Sequence, residues 1–401
     1  MSNKLLDLQR PRPTGGSVVS FNSGVDLITQ ENILQNIIGS PVRSFEAKTG
    51  RLPDEADELS ALVLRRTNIG FVSERLGLSE NSTIRSRLQS DYRVLSVRPE
   101  FYYFALKPYE DGDEKTWGVD AVGAWTSGFT GAGIKVAILD TGLDFQHPDF
   151  AERTIVSESF VSGEEAQDGH GHGTHVAGSA VGGLTSDGSF RYGVASGADL
   201  YVAKVLGDNG SGRERDIFTG IAWAIEQGCE VISMSLGAAV REGEAYIPEY
   251  EDLARLALDN GCLIIAAAGN ESSRAYGYIA PVGSPANSPS IMAVAAVDQA
   301  LEVAEFSSGG INPDGGEVNI AAPGVGIFSS ALEPQRYATY SGTSMACPHV
   351  AGVAALIAES DPSLRGQALW DKLVETARAL RGTERDLGAG LVQSPGAGGM
   401  V

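Results

Sequence analysis

A serine just before a helical stretch is the residue of this chain whose position most favours chemistry. Ser344 stands in SGTSMACPHVAG, between a glycine and an apolar run. Backbone N–H groups in the first turn of a helix are unpaired and carry the positive end of the dipole, so they would stabilise an oxyanion beside Ser344. A serine can also simply cap a helix. The choice depends on whether the chain supplies a base, an orienting acid and a second oxyanion donor.

Candidate acid and base residues occur in two further segments. Asp140 ends the apolar run of VAILDTGLD, where turn N–H groups can keep a carboxylate ionised so that it orients an imidazole. The segment DGHGHGTHVAG offers His170, His172 and His175. A metal site is the alternative, but the glutamate of the HExxH pattern is missing and the histidine spacing is three residues rather than four. Glycines on both sides of His172 let the backbone approach a site closely, whereas His175 falls one turn into a helix.

The elements that must position these residues follow an alternating pattern. From about Gly133, apolar runs alternate with helical stretches, which is typical of a parallel sheet covered on both faces. The predicted strands are IKVAIL, LYVAKVL, CEVISMSL, CLIIAAA and IMAVAAV, and the predicted helices between them include RERDIFTGIAWAIEQG and EYEDLARLALDNG. Sites in such sheets lie beyond the carboxyl ends of the strands. Asp140, Ser235 and Asn270 all follow such ends.

The N-terminal part of the chain has a different pattern. SVVSF, ALVLRRTNIGFVS and YRVLSVRPEFYYFAL indicate strands, and a helix is predicted from about Ser79 to Ser90. We therefore expect a small α+β domain before the larger one. The predicted organisation is a disordered segment (1–16), the small domain (17–106), an exposed linker rich in charge and glycine (107–116), the larger domain (117–393) and a flexible tail (394–401).

Composition limits the classes of partner. The chain of 401 residues has a formal net charge of −21, and residues 1–106 are close to neutral. The larger domain is therefore strongly acidic, which disfavours nucleic acid. No apolar run is long enough to span a bilayer, and the N-terminus lacks the apolar stretch of a secretory signal. We expect a cytoplasmic protein without membrane or nucleic-acid partners, with secretion by another route left open.

Cys229, Cys262 and Cys347 lie in apolar runs and are expected to be reduced core residues.

Five ordered segments resemble the motifs of one enzyme family. DTGLD, HGTHVAG, SMSLG, AAAGN and SGTSMACPHVAG are similar to those of the subtilisin-type serine proteases, over roughly Trp117 to Val392. The resemblance implies an α/β three-layer sandwich with a mostly parallel central sheet. It also implies a serine endopeptidase that works through an acyl-enzyme intermediate and needs no cofactor for the chemistry. The chemistry fits, because a serine is weakly nucleophilic until a base takes its proton.

The resemblance assigns a role to each matching residue. The acid, general base and nucleophile would be Asp140, His172 and Ser344, and the oxyanion donors would be Asn270 and the Ser344 N–H. Substrate would pair with the edge formed by Ser235, Leu236 and Gly237, while Ala267, Ala268 and Gly269 would wall the S1 pocket for the residue before the scissile bond. Small side chains there leave room for a large apolar residue. Glu271 and the acidic loop around Glu249 favour basic residues in one interpretation and are solvated surface in the other.

Calcium is a weaker expectation from the same resemblance. Asp149, in HPDF, matches a calcium ligand of the family. The segment GLTSDGSFRYGVA lacks the asparagine-rich loop that completes the site in better-known members, and Asp187 is a candidate substitute. Structural calcium is therefore left open, with Asp149 as the main candidate ligand.

The small N-terminal domain is similar to the family's prodomain in length and in its strand-helix-strand close, which implies a ferredoxin-like fold. A zymogen would follow, with FAL along the substrate groove, Leu106 or a neighbour in S1, and self-cleavage between Leu106 and Trp117. The basic residues of its second half suit attachment to an acidic domain. Three alternatives stay open: an unrelated N-terminal interaction domain, an inactive protease-like binding protein, and a dedicated maturation protease for one peptide partner.

Overall fold

The computed structural model describes residues 12–45, 61–73, 83–105, 109–110, 117–151, 153–186, 188 and 191–396. The strands within them are β1 Arg12–Phe21, β2 Val42–Phe45, β3 Ala61–Leu64, β4 Ile69–Val72, β5 Val94–Ala105, β6 Tyr109–Glu110, β7 Lys135–Asp140, β8 Ile155–Ser159, β9 Asp199–Lys204, β10 Ser211–Arg213, β11 Val231–Met234, β12 Leu236–Gly237, β13 Leu263–Ala267, β14 Met292–Val297, β15 Ile320–Pro323, β16 Ile327–Ser330 and β17 Tyr337–Ser341. The helices are α1 Leu27–Ile38, α2 Thr83–Ser90, α3 Trp117–Ala121, α4 His172–Val181, α5 Glu214–Glu226, α6 Pro248–Asp259, α7 Thr343–Ser360, α8 Gln367–Thr376 and α9 Glu384–Leu387, with 3₁₀ turns at Pro148–Phe150 and Arg274–Tyr276.

A parallel sheet forms the centre of the larger domain. Its strand order is β15-β14-β13-β11-β7-β9-β8, and each neighbouring pair is parallel. Alternate residues of one strand join opposite cores, because side chains in a strand point to alternate faces. Val136 and Ile138 pack with α4 and α7, whereas Ala137 and Leu139 pack with α5 and α6. The predicted three-layer α/β fold is confirmed, and β8 and β15 extend the predicted sheet at its two edges.

The N-terminal domain has the ferredoxin-like arrangement. Strands β5, β1, β4 and β3 are antiparallel neighbours in that order, and β2 adds a parallel edge to β3. The sequence prediction missed α1, although Asp26 caps its first turn through the Thr29 N–H at 2.9 Å and Gly39 ends it in the left-handed region with φ 74°. Strand β1 begins at Arg12, so the predicted start at residue 17 is five residues late. The predicted start of α2 lies outside the described residues.

The sheet of this domain buries both of its faces. Val19, Val63 and Val72 pack with α1 and α2 in the domain's own core. The neighbouring residues Val18, Leu64 and Phe71 point the other way and join the core around α5 and α6 of the larger domain. At this contact the rings of Phe71 and Phe218 lie 6.1 Å apart. Because alternate residues of each strand point to opposite faces, one face of the sheet lines the core of the N-terminal domain and the other face packs on the larger domain.

Charged groups complete this interface at two helix starts. The Arg98 guanidinium, on β5, contacts the Glu249 carboxylate at 2.9 Å and the Glu214 carboxylate at 2.7 Å. Both glutamate side chains are at most 1% exposed, and they stand in the first turns of α5 and α6. Burial alone would raise the pKa of Glu249, but Arg98 and the Ser20 hydroxyl lower it below its ordinary value. Neither sequence interpretation of the Glu249 loop anticipated this contact.

Residues in the predicted linker and the predicted tail form backbone hydrogen bonds with the larger domain. The linker residues Tyr109 and Glu110 pair antiparallel with β17, while 106–108 and 111–116 lie outside the described residues. In the predicted tail, the Ser394 N–H donates to the Val122 carbonyl at 2.8 Å, and 397–401 lie outside the described residues. The three cysteines are buried and unpaired, as predicted. Within the described part of the chain, no helix has the length and hydropathy needed to cross a bilayer.

Candidate active site

The candidate residues meet at the carboxyl edge of three adjacent strands. Asp140 is the last residue of β7, Ser235 follows β11 directly, and Asn270 lies in the loop after β13. These strands are neighbours in the order β13-β11-β7. Since parallel strands end at the same edge, the sheet brings together three residues far apart in the sequence.

Asp140 and His172 form a buried hydrogen-bonded pair. Asp140 Oδ1 lies 2.7 Å from His172 Nδ1 and accepts the Thr141 N–H at 2.8 Å. The two residues are 1% and 2% exposed. A carboxylate oxygen only accepts, so Nδ1 carries the proton and the lone pair of the neutral ring is on Nε2. The imidazole is therefore held in the tautomer that a general base needs.

A buried carboxylate that the sequence interpretation missed fixes the start of α4, where His172 is the first residue. Asp168 accepts hydrogen bonds from the Gly171 N–H at 2.8 Å, the Thr174 N–H at 2.9 Å and the Thr141 hydroxyl at 2.9 Å. It thus joins the first turn of the histidine helix to the residue after Asp140. The available signal was an aspartate just before a glycine-rich helix start, which is a capping pattern.

Glycine is required beside His172 by close backbone contact. Gly171, before the helix, has φ 95°, and a Cβ at Gly173 would lie 2.3 Å from the Gly142 carbonyl oxygen. A side chain at Gly173 would push α4 away from the turn after β7, whereas at Gly171 the positive φ disfavours any residue with a Cβ. The predicted reason for the two glycines is borne out by these contacts.

Ser344 lies in the first turn of α7 and is 0% exposed. Its hydroxyl is 3.3 Å from the Ser235 carbonyl oxygen, and the Ser235 hydroxyl donates to the Ser344 carbonyl at 2.8 Å. Since Ser235 follows β11, these contacts hold the helix start at the same sheet edge as Asp140. α7 also packs against α4 within one hydrophobic core.

The side chain of Asn270 is held through its amide oxygen, which leaves its amide nitrogen available as a donor. Its Oδ1 accepts the Thr343 N–H at 2.8 Å and the Thr343 hydroxyl at 2.9 Å. A backbone N–H can only donate, so this contact fixes which end of the amide is oxygen. The Nδ2 atom is buried, and no hydrogen-bond partner for it occurs among the described residues. A buried donor of this kind, on a side chain that contacts Thr343 immediately before Ser344, is suited to a charge that appears during reaction.

An extended chain already occupies the groove between β12 and β10. Strand β5 of the N-terminal domain pairs antiparallel with β12, aligning Ala105 with Leu236. On its other side it pairs with β10, aligning Phe104 with Ser211. The predicted edge of Ser235 to Gly237 is therefore one of two edges, and β10 was missed. The glycine-rich turn before α5 was its only local signal.

The predicted S1 wall is buried, and its acidic neighbour Glu271 is half-buried. Ala267 and Ala268 are at most 2% exposed, and the Ala268 carbonyl accepts the Gly283 N–H at 2.9 Å. A Cβ at Gly269 would lie 2.5 Å from Glu271 Oε2. Burial raises the pKa of Glu271 above its ordinary value. The predicted occupant of this pocket, Leu106, lies outside the described residues.

The other two histidines of the motif occupy different surroundings. His170 is exposed, with its ring 6.3 Å from that of His172. His175 is in the core, where Nε2 lies 3.1 Å from the Ile327 carbonyl oxygen and burial lowers its pKa to about 3. Among the described residues, no three His, Cys, Asp or Glu side chains group together as metal ligands. His175 is therefore a neutral structural residue.

Known proteins resemble this chain in sequence and in structure. The sequence model of the subtilase family, Peptidase_S8, matches residues 131–391. Subtilisin from Bacillus pumilus is 42% identical over 269 residues, covering 67% of this chain and 91% of that protein. Alkaline elastase YaB from Bacillus sp. (strain YaB) is 41% identical over 316 residues, covering 77% of this chain and 76% of that protein. The structure of sphericase has a TM-score of 0.61 and 34% identity, covering 71% of this chain and 99% of that one.

These similarities agree with the observed fold. The family match spans more than half of the chain, and the Bacillus pumilus relative is matched over nearly its whole length. The chain therefore belongs to the subtilase family and is a serine endopeptidase of the subtilisin type.

Proposed function

We propose that this endopeptidase works through Asp140, His172 and Ser344, and that it is made as a zymogen that cleaves itself. The observation that carries the proposal is the extended β5 strand beside Ser344. The last residue of β5, Ala105, pairs with Leu236. The residue before Leu236 is Ser235, whose carbonyl oxygen lies 3.3 Å from the Ser344 hydroxyl. A peptide bound in the same way would present a carbonyl carbon to the serine.

In the proposed reaction, the Ser344 hydroxyl oxygen attacks the scissile carbonyl while His172 Nε2 accepts the hydroxyl proton. The tetrahedral intermediate collapses to an acyl-enzyme, and the protonated histidine gives its proton to the leaving amine. Water then attacks the ester while His172 accepts its proton, and collapse of the second intermediate releases the acid product as His172 returns the proton to the Ser344 oxygen. Asp140 stabilises the imidazolium through the 2.7 Å hydrogen bond to Nδ1.

Asn270 is the proposed side-chain donor to the oxyanion. Replacing it with alanine should lower kcat about 10²- to 10³-fold with little change in KM, the scale seen on loss of the oxyanion asparagine in subtilisin, because the lost hydrogen bond forms mainly in the transition state. Steady-state hydrolysis of a chromogenic peptide measures both constants. Asn260→Ala, at an exposed helix end, is the matched control. An Asn270→Ala effect confined to KM would contradict the assignment.

The chain passes Ser344 on both sides, which supports self-cleavage nearby. Ala105 pairs with Leu236 on one edge, and Tyr109 pairs with Ser341 on the other. We therefore propose that the cleaved bond lies between Ala105 and Tyr109, an interval that begins one residue before the one that the sequence suggested and ends earlier. The alignment with alkaline elastase YaB covers 77% of this chain, more than the residues from Trp117 onward can supply. It therefore extends into the N-terminal domain, in keeping with a prodomain.

Arg98 should hold the prodomain after cleavage. Arg98→Met would leave the Glu249 and Glu214 carboxylates buried without their cation, and loss of one partner of such a pair weakens binding about 10- to 10³-fold. The measurement is the dissociation constant of the cleaved fragment, from titration against peptide hydrolysis. Arg93→Met removes a more exposed arginine whose ion pair is with Asp91 of its own domain, and it should change affinity little. Equal effects of the two variants would count against the Arg98 contact.

A further inference from the structure

Asp149, the residue that resemblance linked to calcium, is bound by two tyrosine hydroxyls. It lies in the 3₁₀ turn Pro148–Phe150, with its side chain 2% exposed. The Tyr192 hydroxyl donates to Oδ2 at 2.5 Å. The Tyr337 hydroxyl lies 3.0 Å from each carboxylate oxygen. Both oxygens of Asp149 therefore already face a hydrogen-bond donor.

These tyrosines tie down the segment in which the family would place its calcium loop. Tyr192 belongs to GLTSDGSFRYGVA, the segment that departs from the asparagine-rich pattern. Ser186, in the same segment, donates its N–H to the Tyr337 hydroxyl oxygen at 2.7 Å. The segment is thus attached to Asp149 twice, directly through Tyr192 and through Tyr337. The candidate substitute ligand Asp187 lies outside the described residues.

The surroundings of Asp149 do not fit a calcium ion. Calcium takes six to eight oxygen ligands, among them carboxylates. The groups that contact the Asp149 carboxylate in the described part of the chain are two phenols and His147, whose Nδ1 is 4.0 Å from Oδ2. The His147 ring is neutral because Nε2 faces the Arg336 carbonyl at 2.7 Å while Nδ1 accepts the Asp149 N–H at 3.2 Å.

Aromatic packing and protonation both favour the tyrosines as donors. The Tyr192 and Tyr337 rings lie 5.9 Å apart, edge to face, and Tyr337 stacks on Phe328 at 5.3 Å. Burial raises the pKa of Tyr192 well above 10 and raises that of Tyr337 as well. The hydroxyls therefore keep their protons at neutral pH and can donate to the carboxylate.

We propose that the Tyr192 and Tyr337 hydroxyls take the place of a calcium ion at Asp149, so that the described residues 183–186 and 191–195 are fixed without metal. The contacts of Tyr192 and Tyr337 with Asp149 also lie on an element that leads to the active site. Tyr337 begins β17, and Ser341 at the other end of that strand pairs with Tyr109 beside Ser344. Metal-independent anchoring of this loop is a property of this chain's own residues.

The first test removes each hydroxyl. Full-length protein carrying Ser344→Ala, which prevents self-digestion, is compared with the same chain carrying Tyr192→Phe or Tyr337→Phe. Each should lower the midpoint of thermal unfolding by about 2 to 8 °C, because a buried carboxylate loses a donor. Tyr276→Phe, at a side chain that is 89% exposed, is the control and should leave the midpoint unchanged. If the Tyr192→Phe and Tyr337→Phe chains unfold at the same midpoint as the Tyr276→Phe control, the proposal is overturned.

The second test asks whether calcium acts at Asp149. Unfolding midpoints of the Ser344→Ala chain, with and without Asp149→Asn, are measured in millimolar CaCl₂ and in millimolar EGTA. The difference between the two conditions should be the same in both chains, because neither binds calcium at this position. A larger calcium-dependent difference in the chain that retains Asp149 would show an ion there and overturn the proposal.

Discussion

Ser344→Ala is expected to lower kcat by about 10⁶-fold, the loss that removal of the triad serine or histidine causes in subtilisin itself. His172→Ala should cost about as much, and the double variant no more, because nucleophile and base act in one step. The serine without the base is a poor nucleophile, and the base without the serine has no proton to accept. Remaining hydrolysis above the uncatalysed rate would come from substrate binding and the oxyanion donors.

Measuring this effect requires that every variant lose its prodomain in the same way. An engineered cleavage site within 111–116 removes it with a second protease, and peptide hydrolysis is then followed at saturating substrate. Ser360→Ala, at the far end of the same helix, is the control and should retain full activity. A kcat for Ser344→Ala within tenfold of wild type would contradict the assignment of the nucleophile.

Asp140→Ala is expected to lower kcat by about 10⁴-fold, less than loss of Ser344 or His172, as the corresponding aspartate does in subtilisin. Asp140 acts through His172 and touches no substrate. Without the 2.7 Å hydrogen bond to Nδ1, the imidazole can rotate, take the other tautomer and lose stabilisation of its charged form. KM should change little, because the substitution leaves β10 and β12, the proposed substrate-binding edges, unchanged.

The control for this prediction is a neighbouring aspartate. Asp144→Asn keeps the oxygen that accepts the Gln146 N–H at 3.1 Å and leaves the Asp140–His172 pair intact. It should reduce kcat less than tenfold. If Asp144→Asn and Asp140→Ala proved equally harmful, the loss would reflect disturbance of the whole turn and not the orientation of His172.

The central sheet and the site motifs were readable from the sequence because their causes are local. Strands such as β13 are buried on both faces and appear as unbroken apolar runs. Edge strands gave weaker signals: β8 is buried only at its last residue, and β15 has only four residues. The helix α1 had clear capping residues, Asp26 and Gly39, and its omission was a failure of interpretation rather than of information.

Contacts between distant segments could not be anticipated in the same way. Asp168 has a function only because α4 packs against the turn after β7, and Thr343 only because α7 begins beside Asn270. Glu249 read as part of an acidic loop, yet it is 1% exposed against Arg98. In each case the decisive partner is more than twenty residues away or in another domain. Pairing of β5 with β10 and β12 belongs to the same class.

The N-termini of the products formed on incubating the full-length protein test the central claim most directly. Wild type and Ser344→Ala are incubated in parallel at low concentration and analysed by mass spectrometry. If the triad acts on the chain that lies beside it, wild type alone should yield a new N-terminus at Leu106, Lys107, Pro108 or Tyr109, with the released domain still bound. An intact wild-type chain that nevertheless hydrolyses peptides, or the same cleavage in Ser344→Ala, would contradict the account.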